Sequence, residues 1–404
     1  MSETQFTQIR MRRLKNELEL EAWFDFIHNI FKEKTTRQYF VNHHWNDPYS
    51  DLSSILVATI PKMSINITSP TSSLDSEEIV ATVKIFHRKI QINNISKNNS
   101  MISECQCEGI GEVGTRVDMR RKGISHSLLT LVIQQMKNNL LSNAEFVISS
   151  LHAAPSVCEV YRKVGWQSIP MYHSTIHLSV SCFMNDSNES HKKFLESIAI
   201  DKLDFSSQEE IQEVMQLYSK FCKTYQFHGC EVRGENTEYW SKWVDHESTT
   251  HQCSALALYS NSNITAYLII GPDLSVSNSD KHALKVKEFV CNSDFNSEKC
   301  WLAFSTLLTH YLLSSLTSEQ KLQTSITLPH ALLLQVFKEL YERKESSTAT
   351  ITMDLKFQII IDGIKEKSVT DIGYMYRMIQ PEDNHLLNQL IHEDKHLVWK
   401  TDGF

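Results

Sequence analysis

The apolar residues between Gly109 and Met136 change period within one run of chain, and that change fixes the local fold. Gly109-Ile-Gly-Glu-Val-Gly-Thr-Arg-Val117 alternates as a strand does, whereas Ile124, Leu128, Leu131, Val132 and Met136 recur at helical spacing. The spacing predicts a strand over 109–117 and an amphipathic helix over 123–140. Between them stand Arg120, Arg121, Lys122 and Gly123. A glycine there lets the backbone turn tightly, and the first N–H groups of the helix are left unpaired, pointing outward. Those N–H groups, the helix dipole and three adjacent cations form a seat for an anion such as a pyrophosphate. An exposed basic turn is the plain alternative.

The rest of the first half supplies partners for that strand. Alternation predicts strands at 7–13, 54–60, 79–92, 146–151, 166–169 and 174–181, and helical spacing predicts helices at 18–34, 35–46 and 155–163. Residues 61–78 and 93–104 read as polar loops. After an Asn/Asp/Ser/Lys-rich stretch at 183–197 the element order recurs: strand 200–205, helix 207–225, strands 253–259, 264–271 and 284–292, helix 297–316, strand 321–328, helix 330–343, strands 348–357 and 372–379. The sequences of the halves differ, but the repeated order is that of a duplicated mixed α/β fold. A chain of 404 residues holds roughly two or three domains. The division expected is 1–182, a linker at 183–198, a second domain at 199–380, and a tail at 381–404 that packs on the body.

Composition narrows the function classes. A formal net charge of -8 gives no bulk attraction to nucleic acid or an anionic membrane. Residues 1–20 lack the apolar core of a secretory signal, and no apolar run approaches the roughly 18 residues of a membrane helix. Nine scattered cysteines read as reduced thiols of a cytosolic or nuclear protein. Cys105 and Cys107 have no second ligand pair at zinc spacing, so no metal is expected.

Arg120-Arg121-Lys122-Gly123-Ile124-Ser125 resembles the Arg/Gln-x-x-Gly-x-Gly/Ala signature of the GNAT family of acetyl-CoA-dependent N-acetyltransferases. Its place, after one strand and opening the next helix, is the family's. The resemblance implies acetyl-CoA as co-substrate, held by Thr115, Arg116 and Val117 along the strand end and by Arg120, Arg121, Lys122, Gly123, Ile124 and Ser125 at the turn. Ser125 stands where Gly or Ala is usual. Tyr161-Arg-Lys-Val-Gly165-Trp166 resembles the family's Tyr-x-x-x-Gly-Phe/Tyr segment, which implies Tyr161 as the acid that protonates the leaving thiolate.

The attacking amine needs a base, and Glu112 is the candidate, a carboxylate in a run of Gly, Val, Ile and Thr. Apolar neighbours are expected to raise its pKa; a solvent-facing strand glutamate is the equal alternative. His43 and His44 follow the aromatic Tyr39-Phe40 and read mainly as surface histidines near a helix end. His152 lies just past a strand, near where the central strands of such a fold splay.

The second half has neither a glycine nor a basic cluster between 291 and 300, and Asp294 and Glu298 would repel phosphate. It loosely resembles the degenerate second domain of the Eis-like group, through Tyr239-Trp240, Ala255-Leu-Ala-Leu and Ala266-Tyr-Leu-Ile-Ile. Trp399 and Phe404 suggest that the tail packs in the cleft between the halves. The function expected is acetyl transfer to a primary amine, on a small molecule or a lysine side chain. The alternative is a GNAT-derived module that binds CoA or a protein partner without turnover.

Overall fold

The computed structural model describes residues 9–33, 35–62, 77–93, 102–138, 146–182, 198–234, 236–273, 283–313, 322–338, 342, 350–352, 357–399 and 402. Phe404 lies outside them. In the first half, β1 (Arg10–Arg13) is followed by α1 (Glu17–Phe31) and α2 (Arg37–Trp45). Next come β2 (Ile55–Pro61), β3 (Glu77–Asn93), β4 (Ile102–Thr115), α3 (Ile124–Asn138) and β5 (Val147–His152). α4 (Cys158–Arg162), β6 (Gln167–Ser168) and β7 (Met171–Cys182) complete it.

The second half runs β8 (Ile198–Lys202), α5 (Gln208–Tyr225), a π-helical turn at Tyr239–Val244 leading into α6 (Asp245–Thr250), β9 (Ser254–Ser260), β10 (Asn263–Pro272) and β11 (Leu284–Cys291). Then follow α7 (Ser297–Leu313), β12 (Leu322–Pro329), α8 (His330–Gln335), β13 (Thr350–Thr352), β14 (Phe357–Asp371), β15 (Tyr374–Gln380) and α9 (Leu387–Leu390).

Two elements run further than their sequence suggests. β4 begins at Ile102, inside the expected loop at 93–104, because Cys105 and Cys107 alternate inward while Glu104, Gln106 and Glu108 give the segment a polar look. β13 falls within the strand expected at 348–357, while β14 continues from Phe357 to Asp371, where no strand was expected.

The described strands form two sheets, ordered β1-β2-β3-β4-β5-β15-β6 and β13-β14-β7-β12-β11-β10-β9-β8. Each begins with four antiparallel strands and then has one parallel pair, β4–β5 in the first and β11–β12 in the second. The duplication expected from the element order is thus real at the level of the sheet. Beside each parallel pair lies a strand from the other half: β15 pairs with β5, and β7 pairs with β12. The division at 182/183 therefore separates the halves of the chain but not the sheets.

The cores follow this exchange. α3 packs Leu128, Val132 and Met136 on Val83 and Ile110, and Met375 and Ile379 of β15 join that cluster. Phe86 of β3 belongs to the core of the second half, as do Leu397 and Trp399 of the tail. No helix among the described residues is long and apolar enough to cross a membrane.

Candidate active site at the β4–β5 splay

Pairing of β4 with β5 runs from Gln106–Val147 to Ile110–Leu151 and stops, while β4 continues to Thr115. Residues 111–115 thus keep β3 on one side and leave the other edge open. A β-bulge sits in this stretch. Thr82 pairs with Gly114 and Lys84 with Gly111, so Glu112 and Val113 together face Val83. Glu112 takes a left-handed φ of 51°. The bulge turns its carboxylate to the face of the sheet where β3 carries Lys84. There Oε1 lies 2.8 Å from His43 Nδ1 and Oε2 lies 3.9 Å from Lys84 Nζ.

The basic turn joins this open edge to α3. Gly123 has a φ of 76° with open space around it, so its need for glycine is conformational and not steric. Ser127 N–H donates to Gly123 O, which makes Gly123 the first residue to enter the hydrogen bonding of α3. The N–H groups of Ile124, Ser125 and His126 precede any intrahelical acceptor. The Ser125 hydroxyl lies 2.7 Å from the Thr115 hydroxyl and ties the end of β4 to the start of α3. Arg120 Nε donates to Thr115 O at 3.1 Å, and Arg121 is exposed in a left-handed conformation with a φ of 59°. Lys122 Nζ lies 3.4 Å from Met119 Sδ. Val117 is 71% exposed beside them.

Two residues of the expected cofactor set behave differently. The Arg116 guanidinium is taken up by Glu78 and Asp118, each at 2.7 Å, so it bridges protein groups. The Ile124 side chain is buried under α3, so only its backbone N–H can meet a ligand.

Tyr161 sits on α4 with its ring edge-on to Trp166, 6.3 Å away. Burial, with a contribution from Cys158, pushes its phenol up to about 12, so it remains protonated at neutral pH. Glu112 departs from the expectation. Burial pushes its carboxyl up, but the Lys84 ammonium, the His43 hydrogen bond and the His43 and His44 charges outweigh it, and the net shift is downward. The side chain is 6% exposed, and its Oε2 accepts no hydrogen bond. Glu112 is therefore an ionised carboxylate of low basicity.

Residues 10–169 match the family described as the acetyltransferase (GNAT) domain. This part of the chain is thus similar to a GNAT acetyltransferase domain. Across 92% of its length the chain superposes on 73% of a GCN5-related N-acetyltransferase from Anabaena variabilis, with 13% identity and a TM-score of 0.53. It superposes with the same coverage on a probable N-acyltransferase from Enterococcus faecalis, at 12% identity and a TM-score of 0.51. Eis1 from Mycobacterium abscessus is matched over 92% of this chain and 73% of that one, at 14% identity and a TM-score of 0.48. At these identities the first two comparisons establish the fold, now including its second half. No curated protein sequence matches the chain.

Behind the splay, the GNAT domain and the second half enclose a shared cluster. His43 stacks on Tyr39 at 5.1 Å, and its ring lies 4.7 Å from Trp243 of the π-helical turn. His43 and His44 are buried, which corrects their reading as surface histidines; Trp243 of the second half covers His43, and Trp23 and Phe24 of α1 cover His44. Lys84 is fully buried with its Nζ 4.5 Å from the Phe86 ring centre, and it accounts for much of the behaviour of Glu112. Its only sequence signal was a lone lysine in Val80-Ala-Thr-Val-Lys-Ile-Phe86. His152 meets Asp371, 219 residues away, and Asp371 carried no signal at all.

Cys105 and Cys107 are buried, and Cys107 Sγ lies 3.0 Å from Ser150 Oγ. In the second half Asp294 pairs with Lys220 at 2.9 Å beside the N-terminal end of α7, where the GNAT domain has its basic turn.

Proposed function

We propose that the chain transfers an acetyl group from acetyl-CoA to a primary amine, on a small molecule or a lysine side chain, by direct attack. One observation carries the reading: the open edge of β4 at 111–115 leads through the basic turn onto the unpaired N-terminus of α3. An extended amide-bearing chain can add to such an edge as a further strand. A pyrophosphate at its end meets the N–H groups of Ile124 and Ser125 and the charge of Arg121 and Lys122. Thr115, Gly123 and Ser125 shape this seat, Arg120 braces it through Thr115 O, and Val117 offers an apolar contact. The Ser125–Thr115 bond accommodates the serine that stands in place of Gly or Ala, which favours the enzyme over a module without turnover.

Acetyl-CoA supplies an activated thioester. Tyr161, kept protonated, gives its proton to the departing sulfur. Glu112 stays ionised, and its buried carboxylate, with Oε2 3.9 Å from Lys84 Nζ, contributes negative charge that favours an acceptor ammonium without touching it. The partly exposed Asp371 carboxylate beside His152 also suits a cationic acceptor. One active site per chain is proposed, in the GNAT domain.

The test is a thermal-shift titration with acetyl-CoA followed by thiol release over monoamines, polyamines and lysine peptides. The expected result is a melting temperature that climbs with acetyl-CoA concentration, and thiol release with at least one amine. Tyr161→Phe should lower turnover roughly 100-fold while acetyl-CoA still stabilises the protein. No stabilisation at millimolar acetyl-CoA would sink the reading. Stabilisation without thiol release would leave a CoA-binding module in its place.

A further inference from the structure

If Glu112 is held low, the proton of the acceptor amine needs a stronger base. His152 ends β5, one residue past Leu151, the last β5 residue paired with β4. By alternation it shares a face with Ile148 and Ser150, while Val147 and Leu151 enter the core under α3. That is the face reached by Glu112 from β4. The two side chains therefore flank the splay on the acceptor side, one from each diverging strand.

His152 is held in a built arrangement. Its Nε2 lies 2.9 and 3.1 Å from the two oxygens of Asp371. Asp371 also accepts the Gly373 N–H at 2.9 Å. A Cβ on Gly373 would stand 2.4 Å from Ala153 O and 3.0 Å from both His152 Nε2 and Asp371 Oδ1, so the turn from β14 into β15 has room only for glycine. The Tyr374 ring packs 4.5 Å from the imidazole. Insertion of β15 beside β5 is what delivers this turn. The pair remains accessible, with the His152 side chain 37% exposed and that of Asp371 23% exposed.

A carboxylate only accepts hydrogen bonds, so Nε2 carries the imidazole proton and Nδ1 presents a lone pair. The same carboxylate fixes the orientation of the ring, as an acid beside a catalytic histidine does in hydrolases. We infer that His152, oriented by Asp371, is the base that receives the proton of the acceptor amine in the reaction proposed above, on which this inference rests. Nδ1 takes one proton from R–NH3+ and leaves R–NH2. The amine nitrogen then bonds to the thioester carbon, the C–S bond breaks, and the sulfur takes the Tyr161 proton. The second proton lost by the nitrogen returns through solvent to Tyr161, and the imidazolium releases its own to solvent. Asp371 acts through His152 and is a positioning residue.

The experiment compares wild type, His152→Ala, His152→Gln and Asp371→Asn at saturating acetyl-CoA, with the best amine of the panel, with and without added imidazole. His152→Ala should lose roughly 100-fold or more in kcat at an unchanged acceptor KM. Imidazole should restore its turnover in proportion to the free base. Glutamine keeps a donor for Asp371 but no basic nitrogen, so His152→Gln should be as slow as alanine even where it protects the fold. Asp371→Asn should also fall in kcat and not in KM, by less than His152→Ala. Full turnover in either His152 variant overturns the inference, and so does a loss in alanine that glutamine repairs, since that marks a structural pair. A wild type that binds acetyl-CoA but acetylates no amine removes the proposed function and this inference together, so the wild-type control separates the two failures.

Discussion

Lys84 is an unusual residue for the middle of a strand. Its Nζ is buried without a hydrogen-bond partner, 3.9 Å from Glu112. Burial pulls its ammonium down, and Glu112 and Asp47 push back. Glu112 gains in return a carboxyl held below its ordinary value. Glu112 is thus ionised at neutral pH, and the pull of its charge on the acceptor ammonium is lost only as pH falls through that lowered value. Lys84→Met removes the cation and leaves burial less opposed, so the Glu112 pKa should rise. The acid limb of the acceptor KM should then move to higher pH, read from KM against pH for the two proteins. A limb that does not move would show that another group controls it. Glu112 itself was legible, as the one carboxylate in a Gly/Val run. The sign of its shift was not, because Lys84 sits on β3 and His43 on α2, and neither is near it in sequence.

At the scale of the element, the turn from β4 into α3 was the most legible part of the molecule. Its signals are local: a change of period, a cluster of cations and a glycine. Two details escaped because they depend on neighbours, namely that Arg116 is taken by Glu78 and that the Ile124 side chain turns into the core. The bulge at Glu112 escaped as well, since two-against-one pairing is decided by β3. The turn can be tested by charge alone. Asn and Asp are similar in size and both tolerate the left-handed region better than other non-glycine residues. Gly123→Asn and Gly123→Asp should therefore share the backbone strain and differ only by a negative charge at the N-terminus of α3. The aspartate should bind acetyl-CoA more weakly than the asparagine by roughly 1 kcal/mol, about five-fold. Binding isotherms for the pair decide it, and equal affinities would mean that the pyrophosphate sits elsewhere.

Across the whole molecule, the duplicated order could be read in the sequence but the exchange of β7 and β15 could not. Both are alternating strands flanked by turns, and only long-range pairing selects the sheet each one joins. The exchange makes the two halves one interlocked body, and histidines lie in its seams. His396 sits 2.9 Å from Tyr376 Oη and 3.2 Å from Pro170 O, tying the tail to β15 and to the residue just before β7. His228 Nδ1 accepts the His392 N–H, a bond that only a neutral imidazole can accept. Burial pulls His396 down to about 4, His228 to about 3 with help from His392 and Lys395, and, inside the first half under Trp23 and Phe24, His44 to about 4 with help from Lys84. In the unfolded chain all three would take up a proton near pH 6.5, whereas in the folded one they do not. Stability must then fall as pH drops below that point, by about 3 kcal/mol for each such histidine at pH 4. Together that loss is comparable with the whole stability of an ordinary domain. Urea midpoints should therefore decline steeply from pH 6.5 downward, and the decline should be shallower in His396→Gln, which keeps a neutral hydrogen-bonding side chain. A midpoint that stayed level down to pH 4 would mean that these imidazoles protonate without opening the seams, and that the halves are held less tightly than their exchanged strands imply.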